Sequence, residues 1–439
     1  MTMNFDFTAA AWGLATFSLL LSIIYIWWLL WQRLTIRRRL RQCTGNSENV
    51  GDCDAVALPT VSIIVYCHND AENLRRALPY LMNQNYPEYE VIVVNDGMVI
   101  DDSNVIAEFR CQYSNLYETF VPDDTRNVSR RKLALMVGIK AAKHDIIVTT
   151  NANCRPTSDN WLRLLCRNFT QGIDVVIGQS VYNHRSDRQS GHMFRCFDSV
   201  CTRTLYTAWA IACKPYRGTC DNLAYRRDTF FANKGFSKSM NLHYGDDDIF
   251  VSEIANAGNT RVELSPESFV STFYDEPARA LREQKSRYDF TSRYISTRAF
   301  TASHTMAAVY WLNFVAIVLL TLVAAINLAA IFAPAFIAAI SGSLLAALHP
   351  ETITTGAVHF TQGIFGITDV MLTASPLLLL LLHSLPGILA YRSVARMLRM
   401  PRLFFTVPLF TLARPIVDLR YHLRGHRYRQ QNFTWQRLK

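Results

Sequence analysis

The chain has 439 residues, of which 50% are hydrophobic and only 18% charged, with a formal net charge of +10. That balance is rare in a wholly soluble domain, so part of the protein is expected in lipid. The basic excess clusters beside apolar runs, where anionic headgroups account for it, so membrane lipids are expected partners and nucleic acid is not.

The first run, "FTAAAWGLATFSLLLSIIYIWWLLW" (Phe7–Trp31), carries no charge and is long enough to cross a hydrocarbon core of about 30 Å. It lacks a basic start and a cleavage-like end, so an uncleaved transmembrane helix over 7–32 is expected rather than a signal peptide. Arg33, Arg37, Arg38, Arg39 and Arg41 come directly after it, whereas only Asp6 precedes it. The positive-inside tendency then puts the amino terminus outside and the chain beyond Arg33 in the cytoplasm. Residues 33–59 read as a basic linker ending in Pro59.

From there to residue 275 the pattern alternates. "VSIIVYC" (61–67), "EYEVIVVND" (88–96), "YETFVP" and "DIIVTTN" (145–151) read as strands. "ENLRRALPYLMNQ" (72–84), kinked at Pro79, "DDSNVIAEFRCQY" and "SRRKLALMVGIKAAK" (129–143) read as helices. Apolar, β-branched strands alternating with helices predict an α/β domain over 60–275 with a mostly parallel sheet. Ligands bind outside the carboxyl ends of such strands. Those ends here read "HND" (68–70), "NDG" (95–97) and "NAN" (151–153). A nicotinamide fold would need glycines in the first loop, and "CHNDAEN" has none.

Residues 276–306, with "QKSRY", are basic and aromatic enough for an interfacial helix. Within 307–391, Ala307–Phe332 and Met371–Tyr391 read as spans, and "APAFIAAISGSLLAALHP" between them leaves a re-entrant or exterior hairpin open. The tail, 392–439, has arginines 392, 396 and 399 at helical spacing and prolines 401, 408 and 415, as a basic interfacial segment would. All ten cysteines fall between Cys43 and Cys220 without a CxxC pair or His-Cys metal spacing, so reduced thiols are expected.

The motifs in this order resemble a family 2 glycosyltransferase of GT-A fold, with flanking membrane segments as in polysaccharide synthases. "VSIIVYCHNDAENL" resembles the opening strand and its Asn-acid pair, which implies Asn69 and Asp70 near the donor. "NDG" resembles the Asp-Asp-Gly turn and implies Asp96 as a nucleotide contact, with Asn95 a departure. "SRRKLALMVGIKAA" implies Lys132 toward the nucleotide, and "GTCDNLAYRRDTF" implies Asp221 and Asn222 on the acceptor side. "YGDDDIFVSEIANAG" resembles the catalytic-base segment, favouring Asp246 with Asp247 behind it. "QKSRY" resembles Gln-x-x-Arg-Trp and implies Gln284 and Tyr288 beside the acceptor and Arg287 on the diphosphate. Tyrosine in place of tryptophan weakens the link to processive synthases.

The resemblance implies a nucleotide sugar as donor, a UDP-sugar first, and a lipid-linked or glycan acceptor. Sugar transfer needs a base for the acceptor hydroxyl and cations for the leaving diphosphate. Adjacent Asp246, Asp247 and Asp248 should raise one another's proton affinity, although acids there also suit a helix start. Arg287 offers the planar, paired geometry that grips phosphate. Where the family carries Asp-x-Asp on Mg or Mn, this chain has Asn151 and Asn153; Asn153 could lend a metal only a neutral carbonyl oxygen. A non-catalytic, nucleotide-binding homologue is therefore the alternative. A transporter would need charged or broken spans, for which only His383 and Pro376 speak.

Overall fold

The computed structural model describes residues 7–45, 58–122, 128–183, 191–295, 298–348 and 367–428, with side chains of 7–10, 327–348, 367–372 and 424–428 left aside. Asp6, the linker's 46–57, the hairpin's 349–350 and the tail's 429–439 lie outside them. The chain divides into two units, Trp31–Ser303 with Tyr391–Lys439, and Met1–Leu30 with His304–Ala390.

In the first unit, strands β1 (Val61–Cys67), β2 (Tyr89–Asp96), β3 (Leu116–Val121) and β4 (Ile146–Asn151) fall where alternation predicts them. They are succeeded by β5 (Cys154–Pro156), β6 (Val175–Ile177), β7 (Ser180–Tyr182), β8 (Leu223–Arg226), β9 (Thr260–Val262) and β10 (Val270–Thr272). The main sheet has the order β3-β2-β1-β4-β8-β6-β9, and all its neighbours pair in parallel except those of β8. A small second sheet has the order β5-β10-β7. This is the expected α/β architecture with a mostly parallel sheet.

The reversed strand has a geometric consequence. Thr149 of β4 pairs antiparallel with Leu223 of β8, so Asn151 lies across from Asp221. The amino end of β8 thus reaches the same edge as the carboxyl ends of the parallel strands, where ligands bind.

Helices α2 (Ala71–Met82), α3 (Ile100–Arg110) and α4 (Arg130–Ala141) cover the sheet. Helix α4 approaches closely because residue 138 is glycine: a β-carbon there would lie 2.7 Å from Val94 Cγ2 and 2.8 Å from Ile64 Cγ2. Later in the unit come α5 (Trp161–Cys166), α6 (His192–Ala212), α7 (Arg227–Ala232), α8 (Asp248–Ile254) and α9 (Pro277–Thr291).

Helix α1 (Phe7–Gly45) continues well past the apolar run, so the first part of the expected linker is helical. "RLTIRRRLRQCT" contains no glycine or proline to stop it. Likewise α10 (Arg298–Leu348) runs unbroken through 333–348, where the sequence leaves room for a hairpin. Two further helices follow among the described residues, α11 (Ile367–Met397) and α12 (Thr406–Tyr428). Prolines 408 and 415 do not end α12; Pro408 sits in the first turn, where its missing N–H costs nothing. Helix α12 is tied to its neighbours by ion pairs: Arg414 Nε to Asp198 Oδ1 of α6 at 2.9 Å, and Asp418 Oδ1 to Lys285 Nζ of α9 at 2.6 Å.

Among the described residues, three helical stretches are long and apolar enough to cross a membrane: Ala11–Gly45, Arg298–Ile326 and Thr373–Met397. In the second unit Asn313 is wholly buried, its Oδ1 accepting from Ser18 Oγ at 2.6 Å and its Nδ2 donating to Ser22 Oγ at 2.8 Å. His383 Nδ1 lies 3.0 Å from the same amide nitrogen. His383 is therefore an interior partner of Asn313, as a polar group among apolar helices requires. The nine described cysteines are all free thiols rather than disulfides.

Gly138→Ala forces a methyl into the Val94–Ile64 contact and is expected to destabilise the folded protein by about 1–3 kcal/mol. Thermal unfolding of the detergent-solubilised chain reads this, and an unchanged midpoint would refute the close packing.

Candidate active site

The strand ends carry the polar residues expected there, each with definite partners. After β1, exposed Asn69 takes a left-handed turn at φ 49°. Asp70 accepts from Asn73 Nδ2 at 2.8 Å, and burial pushes its carboxyl up. At the end of β2, Asp96 is 2% exposed and receives Arg130 through Nε at 3.0 Å and Nη2 at 2.7 Å, and the Tyr66 hydroxyl at 2.7 Å. Asn95, the departure from the acidic pair, is buried and ties its turn together. Its Oδ1 accepts from Val99 N at 2.9 Å while its Nδ2 donates to Val99 O and Ser103 Oγ, each at 2.9 Å.

Three consecutive cations open α4, and a helix turns about 100° per residue, so they face three ways. Arg130 goes to Asp96. Arg131 stacks over Tyr66, 4.5 Å from the ring centroid, and donates to Asp246 Oδ2 at 2.6 Å and Asn151 Oδ1 at 2.7 Å. Lys132 is fully buried, and its ammonium donates to the carbonyls of Ser239 (2.5 Å), Leu242 (3.2 Å) and Tyr244 (2.8 Å). Those three bonds use every N–H it has, so Lys132 holds a loop and does not reach a nucleotide. Burial lowers its pKa to about 8, against the pull of Asp246, Asp248 and Asp247. Its register was the available signal: Lys132 shares a helix face with Leu135 and Ile139, both buried.

Gly245 adopts φ +105° before the acidic run, and a β-carbon there would strike Ile249 at 2.4 Å. The three acids after it have different fates. Asp246 is 2% exposed and accepts from Arg131, from Arg287 Nη2 at 3.0 Å and from the Cys220 thiol at 3.1 Å. Burial works to raise its pKa, but the two guanidiniums outweigh it and hold the carboxyl well below the usual range. Asp247 meets Arg287 Nη2 at 2.6 Å and caps α8, its Oδ1 accepting from Asp248 N at 2.7 Å. The helix-start reading is thus correct for this residue. Burial, reinforced by the carboxylates of Asp246 and Asp248 and opposed by Arg287, pushes Asp247 up to about 7. Asp248 is fully buried and accepts from the Thr291 hydroxyl and from Ile249 N at 2.9 Å.

A cavity of about 420 Å³ opens beside this cluster, lined by Arg131, Asp221, Asp247, Gln284, Arg287 and Tyr288, with Asp275, Glu276, Arg279 and Glu283 among the others. Gln284, Arg287 and Tyr288 share one face of α9, with Gln284 Nε2 donating to the Tyr288 hydroxyl at 3.2 Å. The Tyr288 ring lies under the Arg217 guanidinium at 3.7 Å, a contact that does not depend on an indole. Asn222 does not join the cavity. It is fully buried, its Oδ1 accepting from Trp161 Nε1 at 3.0 Å and its Nδ2 donating to Gln179 O and Ser268 O, each at 2.9 Å. Its expected place on the acceptor side is thereby overturned. Asp221, the neighbour expected with it, does face the cavity.

Asn151 and Asn153 answer whether Mg or Mn fits here. Asn151 Oδ1 takes the Arg131 guanidinium, and its Nδ2 donates to Asp221 Oδ1 at 2.6 Å. Asn153 Nδ2 donates to Phe273 O at 2.8 Å, and its backbone carbonyl accepts from Phe273 N at 3.0 Å. One amide oxygen already faces a fixed cation and the other amide is tied to the neighbouring strand's exit. Among the described residues, no group of three or more His, Cys, Asp or Glu side chains is arranged to hold a metal ion. The two amides, neutral and already engaged, do not fit a hard divalent cation at this slot. Arg130, Arg131 and Arg217 are the site residues that the motif pattern missed; the adjacent Arg-Arg-Lys run was the signal for the first two.

The family described as "Glycosyl transferase family 2" matches residues 62–227. Glycosyltransferase AglE of Haloferax volcanii is 26% identical over 146 residues, 33% of this chain and 46% of that protein. Poly-beta-1,6-N-acetyl-D-glucosamine synthase of Staphylococcus epidermidis is 28% identical over 94 residues, 21% of each chain. The chain thus spans less than half the length of these curated relatives. Among solved structures, mannosyltransferase PcManGT of Pyrobaculum calidifontis, in complex with GDP-Man and Mn2+, is similar with a TM-score of 0.48 and 17% identity, over 85% of this chain and 99% of that one. The matched segment contains the strand ends, the arginines of α4 and Asp221, so it is in its sheet domain that this chain is similar to family 2 glycosyltransferases.

Proposed function

We propose that the protein is an inverting membrane glycosyltransferase, moving a sugar from a nucleoside diphosphate sugar, a UDP-sugar first, to a lipid-linked or glycan acceptor on the cytoplasmic face. One observation carries this reading: a carboxylate poised near neutrality, Asp247, faces a cavity that also holds the side chains of Arg131 and Arg287. The apolar helices support a place in the membrane, and the arginines after Trp31 support the orientation.

In this mechanism the acceptor hydroxyl gives its proton to Asp247 as its oxygen attacks the anomeric carbon. The bond to the diphosphate breaks on the opposite face, which inverts the configuration. Arg131 and Arg287 stabilise the charge that develops on the departing diphosphate. Asp246 is assigned a different role from the one its place in the motif suggests: ionised and shared between two guanidiniums, it orients them rather than accepting a proton. Asp221, Gln284 and Tyr288 line the acceptor side. The corner of Asp70, Asp96 and Arg130 takes the nucleoside. A catalytically silent homologue is the second reading, favoured only by the neutral pair Asn151 and Asn153.

Nucleotide release from a panel of nucleotide sugars by the detergent-solubilised chain is the direct test. Asp247→Asn is expected to lower kcat by about 10²–10⁴-fold. Release at the same rate from both proteins would refute the assignment and favour the silent homologue. The rate should rise with pH through about 7 and then level, because the base must be ionised. The same raised pKa makes the folded state lose stability as pH climbs from the ordinary carboxylate range to about 7, since there the folded chain keeps a proton that the unfolded chain has released.

Lys132→Met should reduce stability by about 1–3 kcal/mol, by removing a buried donor to three carbonyls. The affinity for nucleoside diphosphate should change by less than about twofold. A loss of affinity with no loss of thermal stability would restore the lysine to the nucleotide site.

A further inference from the structure

We propose that Arg131 supplies the fixed positive charge that a divalent cation would otherwise bring to the diphosphate, so that nucleotide binding and sugar transfer need no metal. The inference rests on the glycosyltransferase reading and extends it to the charge balance of the site.

Register and side-chain chemistry carry the argument together. The antiparallel pairing of β4 with β8 brings residue 151 against Asp221, with 2.6 Å between the Asn151 amide nitrogen and an Asp221 oxygen. An aspartate at 151 would put two carboxylates in that contact, an arrangement that a bridging cation relieves. Asparagine removes the need. Its N–H₂ end faces Asp221 and its oxygen faces the Arg131 guanidinium at 2.7 Å, so the amide dipole joins a fixed cation to a fixed anion. The two partners also settle the amide's orientation, since the reverse would set oxygen against carboxylate and nitrogen against guanidinium.

Arg131 is held for this role on three sides. Its Nε donates to Asp246 at 2.6 Å, its Nη2 to Asn151, and its plane lies over Tyr66. A cation placed on the second lone pair of Asn151 Oδ1 would lie against a guanidinium of like sign. Arg131 nevertheless lines the cavity, as does Arg287, so two guanidiniums anchored on one carboxylate face the space assigned above to the diphosphate. Such preorganised cations stabilise a leaving group without the reorganisation that water would require.

The test is calorimetric binding of UDP and GDP to the full-length chain in detergent, in EDTA, in Mg and in Mn. Affinities equal within about twofold across the three buffers are expected, with Arg131→Gln weakening binding at least about tenfold in EDTA and Arg131→Lys recovering part of it. Unfolding midpoints of the variants, measured alongside, separate lost binding from lost folding. Asn151→Asp is expected to make binding respond to Mn, because it recreates the paired carboxylates with Asp221. Wild-type binding that vanishes in EDTA and returns with Mn would overturn the inference and leave the glycosyltransferase reading intact. Absence of nucleotide binding in every buffer would overturn both.

Discussion

The Asp246 carboxylate receives Arg131 from a helix 115 residues before it and Arg287 from one 41 residues after it. It is almost wholly buried, and a charge in that position persists only because both partners are in place. Removing the carboxylate would leave two guanidiniums side by side; removing either arginine would weaken the pull that keeps the acid ionised. The rest of the site depends on this shared anion. It fixes the opening of α4 against α9, and α9 carries Gln284 and Tyr288 along the cavity wall.

The same constraint divides labour among three adjacent acids. Asp246 is held ionised by its arginines, Asp248 is sealed in the interior with Thr291, and Asp247 is left at the cavity, its proton affinity raised by burial and by its two neighbours. One chemical type thus acquires three behaviours through environment alone. Gly245 makes the division possible, because only a residue without a β-carbon can turn the chain there without striking Ile249. Outside the cavity, Lys285 continues the pattern: it joins Asp198 of α6 to Asp418 of α12, each at 2.6 Å, so the tail helix braces the helix that carries Arg287.

Much of the fold was legible because β1 to β4 are runs rich in β-branched residues, long enough to show their period. The strands β5 to β10 have three or four residues each and no period long enough to recognise. Their positions depend on the strands they pair with, and the reversed β8, which brings Asp221 to Asn151, could not be inferred from its own four residues. Site residues were legible to the segment but not to the residue. Asp221, Gln284, Arg287 and Tyr288 line the cavity; Asp96 is buried against Arg130 and Tyr66, and Lys132 and Asn222 are buried against carbonyls and an indole. An apolar stretch also showed its length but not its ends, as α1 continues to Gly45 and α10 to Leu348.

By itself the sequence determined which residue types occupy each strand end, which stretches are apolar enough for a bilayer, and that the usual acids at 151 and 153 are amides. These are matters of local composition and period, which need no partner to be read. Only the tertiary structure decided which member of Arg130-Arg131-Lys132 and of Asp246-Asp247-Asp248 faces the cavity. Successive residues of a helix or turn point in different directions, and the choice among them is made by what packs against each one.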